Sequence, residues 1–209
     1  MADDAPLSPE EFQTRANVSR ETMDRLRIYA DLLTERQQVQ NLVSRNSLEH
    51  LWDRHMLDSS QLADHLPEDA ESVTDIGSGA GFPGLVLAIV TGLPVTLVES
   101  HGRKCAFLQD VIDATEATAT VANTRIEAFA SESAKKPVDI LTARALAPLA
   151  KLCEMADSLG ARMSLFQKGA RWQEELTDAR KGWKMQHEAF ESRTSSDARI
   201  LLISHLARR

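Results

Sequence analysis

Over the first 70 residues apolar positions recur at spacings of three and four, the period of a helix with one buried face, and no alternation of period two occurs. Ser8-Pro9-Glu10-Glu11 reads as a helix start: a capping hydroxyl, a proline in the first turn and a glutamate three positions beyond the cap. Ser19 can cap a second helix carrying Met23, Leu26, Tyr29, Ala30 and Leu33. A third is expected from near Ser47, carrying Leu48, Leu51, Trp52, Met56, Leu57 and Leu62. From Glu71 onward short β-rich runs alternate with helical stretches. The pattern predicts strands at 72–76, 95–99, 119–122, 138–142, 163–167, 184–190 and 199–206, and helices at about 83–91, 103–116, 147–159 and 171–181. Strands that alternate with helices imply right-handed crossovers and a mostly parallel, doubly wound sheet. Only residues 191–198 separate the last two strands, too few for a crossover helix, so an antiparallel hairpin is expected at the sheet edge. The expectation is a helical extension, residues 1–70, ahead of an α/β domain, residues 71–209, with a seven-stranded sheet.

Composition narrows the class. At 209 residues, 43% apolar and 26% charged, the chain is about one ordinary globular domain with a small appendage. Two cysteines, Cys105 and Cys153, exclude a disulfide framework and suit a reducing compartment, where both are expected to pack as helix residues of the core. The longest apolar stretch, Leu85 to Val98, is broken by Thr91, Gly92 and Pro94 and is too short to span a bilayer. The acidic opening MADDAPLSPEEF has no apolar signal region, and a cytoplasmic protein is expected. The net charge of −7 resides entirely in residues 1–70; the remainder is neutral overall. An acidic chain is an unusual partner for nucleic acid, yet clustering of Lys and Arg on one face matters more than the sum.

Four of the nine glycines fall within Asp75-Ile76-Gly77-Ser78-Gly79-Ala80-Gly81-Phe82-Pro83-Gly84. The first strand should end near Ile76, with Pro83 in the first turn of the next helix, so this turn lies at the carboxyl end of a strand, where open α/β sheets bind ligands. Glycines there permit positive φ and close approach of a ligand, and the helix N-terminus offers N–H groups. Glu99, 22 residues after Gly77, ends the second strand and can accept both hydroxyls of a ribose. Gly79-x-Gly81-x-x-Gly84 also matches the dinucleotide fingerprint, so a nicotinamide-dependent oxidoreductase is the rival reading on spacing. Asp75 favours a cationic cofactor such as S-adenosylmethionine, since a pyrophosphate would be repelled. The only tyrosine, Tyr29, lies outside the sheet region, and no Tyr-x-x-x-Lys pair exists to serve a dehydrogenase.

Several segments in order resemble the glucose-inhibited division protein B family, the small-subunit ribosomal RNA methyltransferases that act on guanine N7 (RsmG). They are Asn41-Leu42-Val43-Ser44-Arg45, Arg54-His55-Met56-Leu57-Asp58-Ser59, the turn Asp75–Gly84, Val98-Glu99-Ser100, Arg103-Lys104-Cys105-Ala106-Phe107-Leu108, Ala143-Arg144-Ala145 and Gln167-Lys168-Gly169. Two departures are Ala143, where a serine is usual, and Gln167, where an apolar residue usually precedes Lys-Gly. The resemblance implies a Rossmann-like class I methyltransferase fold and S-adenosyl-L-methionine as cofactor. Its contacts are implied at Gly77, Phe82, Ile126, Glu127 and Arg144, with Glu99 on the ribose and Asp75, Ser78, Gly79 and Gly81 completing the turn. It implies guanine 527 of 16S ribosomal RNA as target. Arg144, at the end of the fourth strand, reads either as a substrate contact or as the ion-pair partner of Asp75 or Glu127.

The chemistry suits these residues. The fourth strand lacks the Asn/Asp-Pro-Pro-aromatic run of exocyclic-amine methylation, and neither cysteine follows a proline as a carbon-5 nucleophile typically does. Guanine N7 has an in-plane lone pair and no proton, so its methylation needs alignment and exclusion of water rather than an obligatory acid or base. Arg144, Lys168 and His55 are the positioning candidates. N7 faces the narrow major groove of A-form RNA, so a loop or junction is the accessible target. Each strand-to-helix turn after the first carries a base, and Arg103, Lys104, Arg125, Arg144, Lys168 and Arg171 should project from one sheet edge as a basic arc, joined by Arg54. On the helix of residues 54–59, an Arg54–Asp58 ion pair is the plainest expectation. No metal site is expected, because the six histidines are dispersed. The partners expected are 16S ribosomal RNA, the 30S subunit or its assembly intermediate, and no membrane, for a monomer. A protein that binds the cofactor yet only docks on the ribosome is the non-catalytic rival.

Overall fold

The computed structural model describes residues 5–133 and 137–209. Ser8 caps α1 (Pro9–Ala16) through a reciprocal box with Glu11, and Ser19 caps α2 (Arg20–Gln37), whose buried face is Met23, Leu26, Tyr29, Ala30 and Leu33, as expected from the spacing. The third helix departs from expectation. It starts earlier, as α3 (Arg45–Glu49) capped by Ser44, and then does not continue regularly. A π-helical stretch (Trp52–Leu57) passes through α4 (Asp58–Ser60) into a 3-10 turn (Gln61–His65). Hydrogen bonds that span five residues in place of four, as from Asp58 to the carbonyl of Asp53, re-aim the side chains, so the 3.6-residue period breaks down where the chain approaches the strand ends.

The sheet holds β1 (Val73–Ile76), β2 (Val95–Glu99), β3 (Ala119–Asn123), β4 (Ile140–Arg144), β5 (Met163–Lys168), β6 (Trp183–Glu191) and β7 (Arg199–Arg208) in the order β3-β2-β1-β4-β5-β7-β6. Strands β1 to β5 are parallel, and β7 runs antiparallel between β5 and β6. Crossovers use α5 (Gly84–Thr91), α6 (Gly102–Thr115), α7 (Ile126–Ser133) and α8 (Leu149–Ser158), and α9 (Trp172–Gly182) leads into the hairpin. Two corrections arise. Helix α7 was not expected; it is short, with apolar residues only at Ile126, Phe129 and the flanking alanines. Strand β4 begins two residues later than the run 138–142, because Asp139 leaves the ladder to accept the N–H groups of Glu71 and Ser72 and to pair with Arg162.

Strand residues alternate between two cores. Leu97, Ile140, Leu165 and Ile200 face one side, and Val98, Leu141, Phe166 and Leu201 the other. The first side is covered by α5 and α6 together with the helical lead-in: Phe12, Leu26, Tyr29, Leu33, Met56 and Leu62 belong to the same buried cluster as Leu85 and Phe107. The second side is covered by α7, α8 and α9. The lead-in is thus a layer of the sheet's own core. Leu33→Ala, at a site with no exposed surface, should cost about 2–5 kcal/mol. Urea unfolding should show that loss in a single transition, with circular dichroism and tryptophan fluorescence coinciding, since lead-in and sheet share one apolar interior.

Candidate active site

At the end of β1 the chain turns through Gly77, Gly79 and Gly81, with φ of 66°, 59° and 100°. Gly81 is required by a neighbour. A Cβ there would lie 2.7 Å from the Tyr29 hydroxyl, which donates to the carbonyl of Ala80 at 2.5 Å. Burial raises the Tyr29 pKa well above its ordinary value, so it remains a donor. Phe82 stacks on Tyr29 at 5.2 Å and on His55 at 4.7 Å. Nothing local in the sequence marks Tyr29 for this task, because it comes from a helix fifty residues earlier.

The turn spends most of its N–H groups within the protein, three of them on the neighbouring strand β2. Gly77 and Ser78 donate to the carbonyl of Val98, Gly79 to the Glu99 carboxylate, Gly81 to the carbonyl of Ser78 and Gly84 to the Asp75 carboxylate. Pro83 has none, so only Ala80 and Phe82 of this turn keep an N–H for a ligand. Asp75 is fully buried, accepting from Gly84 at 3.3 Å and from the Thr142 hydroxyl at 3.1 Å. It faces the underside of the turn and acts on a ligand through the backbone it holds. Burial pushes its pKa up to about 6 against the opposing hydrogen bonds and Arg144. Glu99 is nearly buried, with its oxygens accepting from Gly79 and His101 at 2.9 Å each. Ile126, half-buried, opens α7 beside exposed Glu127, at the same edge of the sheet.

Arg144 ends β4 and is held on several sides. Its Nη1 donates to the carbonyl of Arg54 at 2.9 Å and to Asp58 at 3.3 Å, its Nη2 lies 2.6 Å from Nδ1 of His55, and its guanidinium sits 5.1 Å above the Phe82 ring. It therefore pairs with neither Asp75 nor Glu127, and Asp58 pairs with Arg144 instead of Arg54. Arginine remains protonated, so Nδ1 of His55 accepts. Burial, then Arg144 and Arg54, lower the His55 pKa to about 3. Lys168 is also committed: its ammonium pairs with Glu175 at 2.6 Å and donates to the carbonyl of Ala147. Arg54, Arg103, Arg125 and Arg171 are exposed and Lys104 partly so, and among the described residues none of the five has an ion-pair partner. Because β1 to β5 are parallel, the turns bearing Arg103, Lys104, Arg125, Arg144, Lys168 and Arg171 all lie on one edge of the sheet.

Beside Arg144 opens a cavity of about 510 Å³ lined by Arg54, Asp58, Gln61, Gln167, Thr194 and Arg199 among others. Its far wall is the β6–β7 loop, which had no expected role. Among the described residues no cluster of His, Cys, Asp or Glu could hold a metal ion, and no helix is long and apolar enough to cross a membrane.

Comparison with known proteins agrees with this geometry. The family model described as rRNA small subunit methyltransferase G matches residues 22–201. Ribosomal RNA small subunit methyltransferase G of Gluconobacter oxydans is 48% identical over 193 residues, covering 91% of this chain and 97% of that protein. The protein of the same name from Paramagnetospirillum magneticum is 45% identical over 204 residues, covering 97% and 98%. Among solved structures, a mutant of MtNAS in complex with S-adenosylmethionine superposes with a TM-score of 0.57 at 16% identity, over 96% of this chain and 85% of that one. The glycopeptide N-methyltransferase MtfA, complexed with the same molecule, gives 0.56 at 11% identity over 72% and 93%. At these identities the two structures speak to the fold alone.

The elevated Asp75 pKa makes a signed prediction. The folded chain keeps this proton between about pH 4 and 6 while the unfolded chain releases it, so the native state loses stability as pH rises through that window. Compared with Asp75→Asn, which has no proton to release there, the wild type should lose roughly 2–3 kcal/mol between pH 4 and 7. Urea titrations of both proteins at each pH measure the difference, and a pH-independent difference would contradict it.

Proposed function

The chain belongs to the rRNA small subunit methyltransferase G family, and from that premise we propose that it transfers a methyl group from S-adenosyl-L-methionine to N7 of a guanine in 16S ribosomal RNA, by resemblance guanine 527. One observation carries the reading. On a single sheet edge, an acid-bordered glycine turn adjoins a cavity rimmed by cations, with Arg144 between them. A turn with five of its N–H groups already given to carbonyls and carboxylates of β1, β2 and the turn itself is a poor cradle for pyrophosphate, which needs convergent free donors, and this weighs against a nicotinamide dinucleotide.

The residues fit the sulfonium cofactor. Glu99 ends β2 beside the turn and has lone pairs left for ribose hydroxyls, Ile126 offers an apolar face for an adenine, and Glu127 a polar neighbour. Gly77 and Phe82 border the same seat. When bound, the cofactor supplies an electrophilic methyl group. The protein's part is placement. The Nδ1 lone pair of His55 is taken by Arg144, Asp75 is sealed under the turn and the Lys168 ammonium is tied to Glu175, so none of the three stands ready as a general base. Guanine N7 needs none, and orientation and dehydration bear the catalysis. The exposed cations Arg54, Arg103, Lys104, Arg125 and Arg171 would draw the RNA backbone to this edge. The reading is of a cytoplasmic monomer acting on the 30S particle or an assembly intermediate.

A tritiated-methyl assay on 30S particles lacking the modification should place about one methyl group per particle in the RNA, at a guanine; no label in the RNA overturns the proposal and leaves only a docking role. Glu99→Ala should weaken cofactor binding by roughly 10–100-fold in calorimetry. The transfer rate should be flat between about pH 7 and 9, since the shifted groups at this site, His55 and Asp75, titrate below that range.

A further inference from the structure

The cavity beside Arg144 has walls from four places: the helical lead-in, the end of β4, the end of β5 and the β6–β7 loop. One carboxylate ties them together. Oδ2 of Asp58 accepts from Arg144 at 3.3 Å and from Gln167 at 2.7 Å. Oδ1 accepts from the Thr194 hydroxyl and from Gln61, each at 2.9 Å. The Asp58 carbonyl takes a further bond from Gln167 at 2.7 Å. Gln61 extends the tie, accepting from the N–H of Arg193 and donating to the Ser192 hydroxyl. Arg144, Gln167 and Thr194 lie 86 to 136 residues from Asp58 in sequence. The helical lead-in therefore fixes how far the hairpin loop stands from the strand ends.

The lining has the chemistry of a nucleotide site. Its carboxylates, Asp58 and Glu175, are each paired with a cation of the lining, Arg144 and Lys168; of the other two cations Arg199 pairs with Glu191 at 3.6 Å, outside the lining, which leaves Arg54 in excess. Gln61, Gln167 and Thr194 complete the wall, with their amide and hydroxyl donors turned onto Asp58. A volume of about 510 Å³ lies within the range of sites that enclose a small ligand. Ala145, on the wall beside Arg144, holds a φ of 53°, a conformation few alanines adopt and one that collects at functional sites. Arg144 is common to this cavity and to the glycine turn, through its contact with Phe82.

We propose that this cavity receives the guanine nucleotide that accepts the methyl group, and that Asp58 is its positioning residue, acting through Arg144, Gln167 and Thr194. The proposal rests on the functional reading above and adds the acceptor's seat to it. Asp58→Asn puts an N–H₂ where one carboxylate oxygen now accepts two donors, so the walls must part on that side. The double variant Gln167→Leu, Thr194→Val keeps the Asp58–Arg144 pair and cuts only the direct ties from Asp58 to β5 and the loop, leaving the bonds of Gln61 to Ser192 and Arg193. Ala198→Trp fills the cavity from the loop side.

Each variant is assayed on 30S particles lacking the modification, with cofactor affinity by calorimetry and thermal unfolding measured in parallel. Loosened placement should lower kcat by about 30–100-fold in Asp58→Asn and about tenfold in the double variant, because small displacements of a reacting group are costly. The KM for 30S should stay within about threefold, since the outer cations still bind the particle, and cofactor affinity should be unchanged. Ala198→Trp should abolish transfer with cofactor affinity intact. The proposal is overturned if kcat is unchanged, if cofactor affinity falls in step with kcat, or if Ala198→Trp transfers normally. Should Asp58→Asn fail to fold, the double variant decides by the same criteria. Absence of transfer by the wild type sinks the functional reading itself, a different outcome from a working wild type with unaffected variants.

Discussion

A guanidinium brought out of water needs partners on every side that water has left, and meeting that demand for Arg144 organises the active edge. Its side chain is 17% exposed and that of Asp58 19%, so each would carry a desolvation penalty alone. An ion pair of this kind adds little net stability. Its value is in location, because a charge with one satisfactory position cannot wander. The positive charge of Arg144 in turn helps hold His55 neutral, and the neutral ring then accepts from Arg144 while stacking on Phe82. Ion pair, neutral imidazole and aromatic face are one unit, and it sits where the glycine turn meets the cavity.

The same arrangement lets a chain with a net charge of −7 act on RNA. Part of the negative charge in the lead-in is occupied: Glu10 pairs with Arg27, Asp58 with Arg144, Asp64 with Arg193 and Asp69 with Arg162. The parallel topology meanwhile sends every turn after β2, β3, β4 and β5 to one edge, so a few cations in those turns become neighbours. Clustering sets the local potential over distances of about 10 Å, beyond which salt screens it. A balance over the whole molecule says nothing about that edge.

The parts legible in the sequence are those governed by local periodicity. Strand β2 falls where the apolar run places it, and β1, β3, β5, β6 and β7 within two residues, because β-rich runs between polar turns leave a mark that does not depend on distant partners. The caps at Ser8 and Ser19 are equally local. Helix α7 escaped because eight residues with few apolar positions carry little periodic signal. The site was less legible. Glu99 and the glycines could be placed by spacing from one strand end, whereas the roles of Asp58, Gln167 and Thr194 depend on contacts across most of the chain. An i,i+4 neighbour such as Arg54 is the natural sequence partner for Asp58, but the π-helical stretch turns the carboxylate toward β4 and the hairpin instead. A polar Gln167 in a position usually apolar was the one visible sign that something polar waited opposite.

These long-range ties make the helical lead-in part of the active site. Tyr29 closes the glycine turn from below and leaves no space for a side chain at Gly81; His55 supports Phe82; Asp58 ties the cavity walls. Each of the hydrogen-bond acceptors that hold Arg144 comes from this segment: the Arg54 carbonyl, His55 and Asp58. A sheet with its strand ends alone would present Arg144 to solvent without these acceptors, while the buried Asp75 of β1 is already committed to Thr142 and Gly84. The accuracy with which an acceptor base could be held against the turn therefore comes from the one part of the chain that contributes no strand.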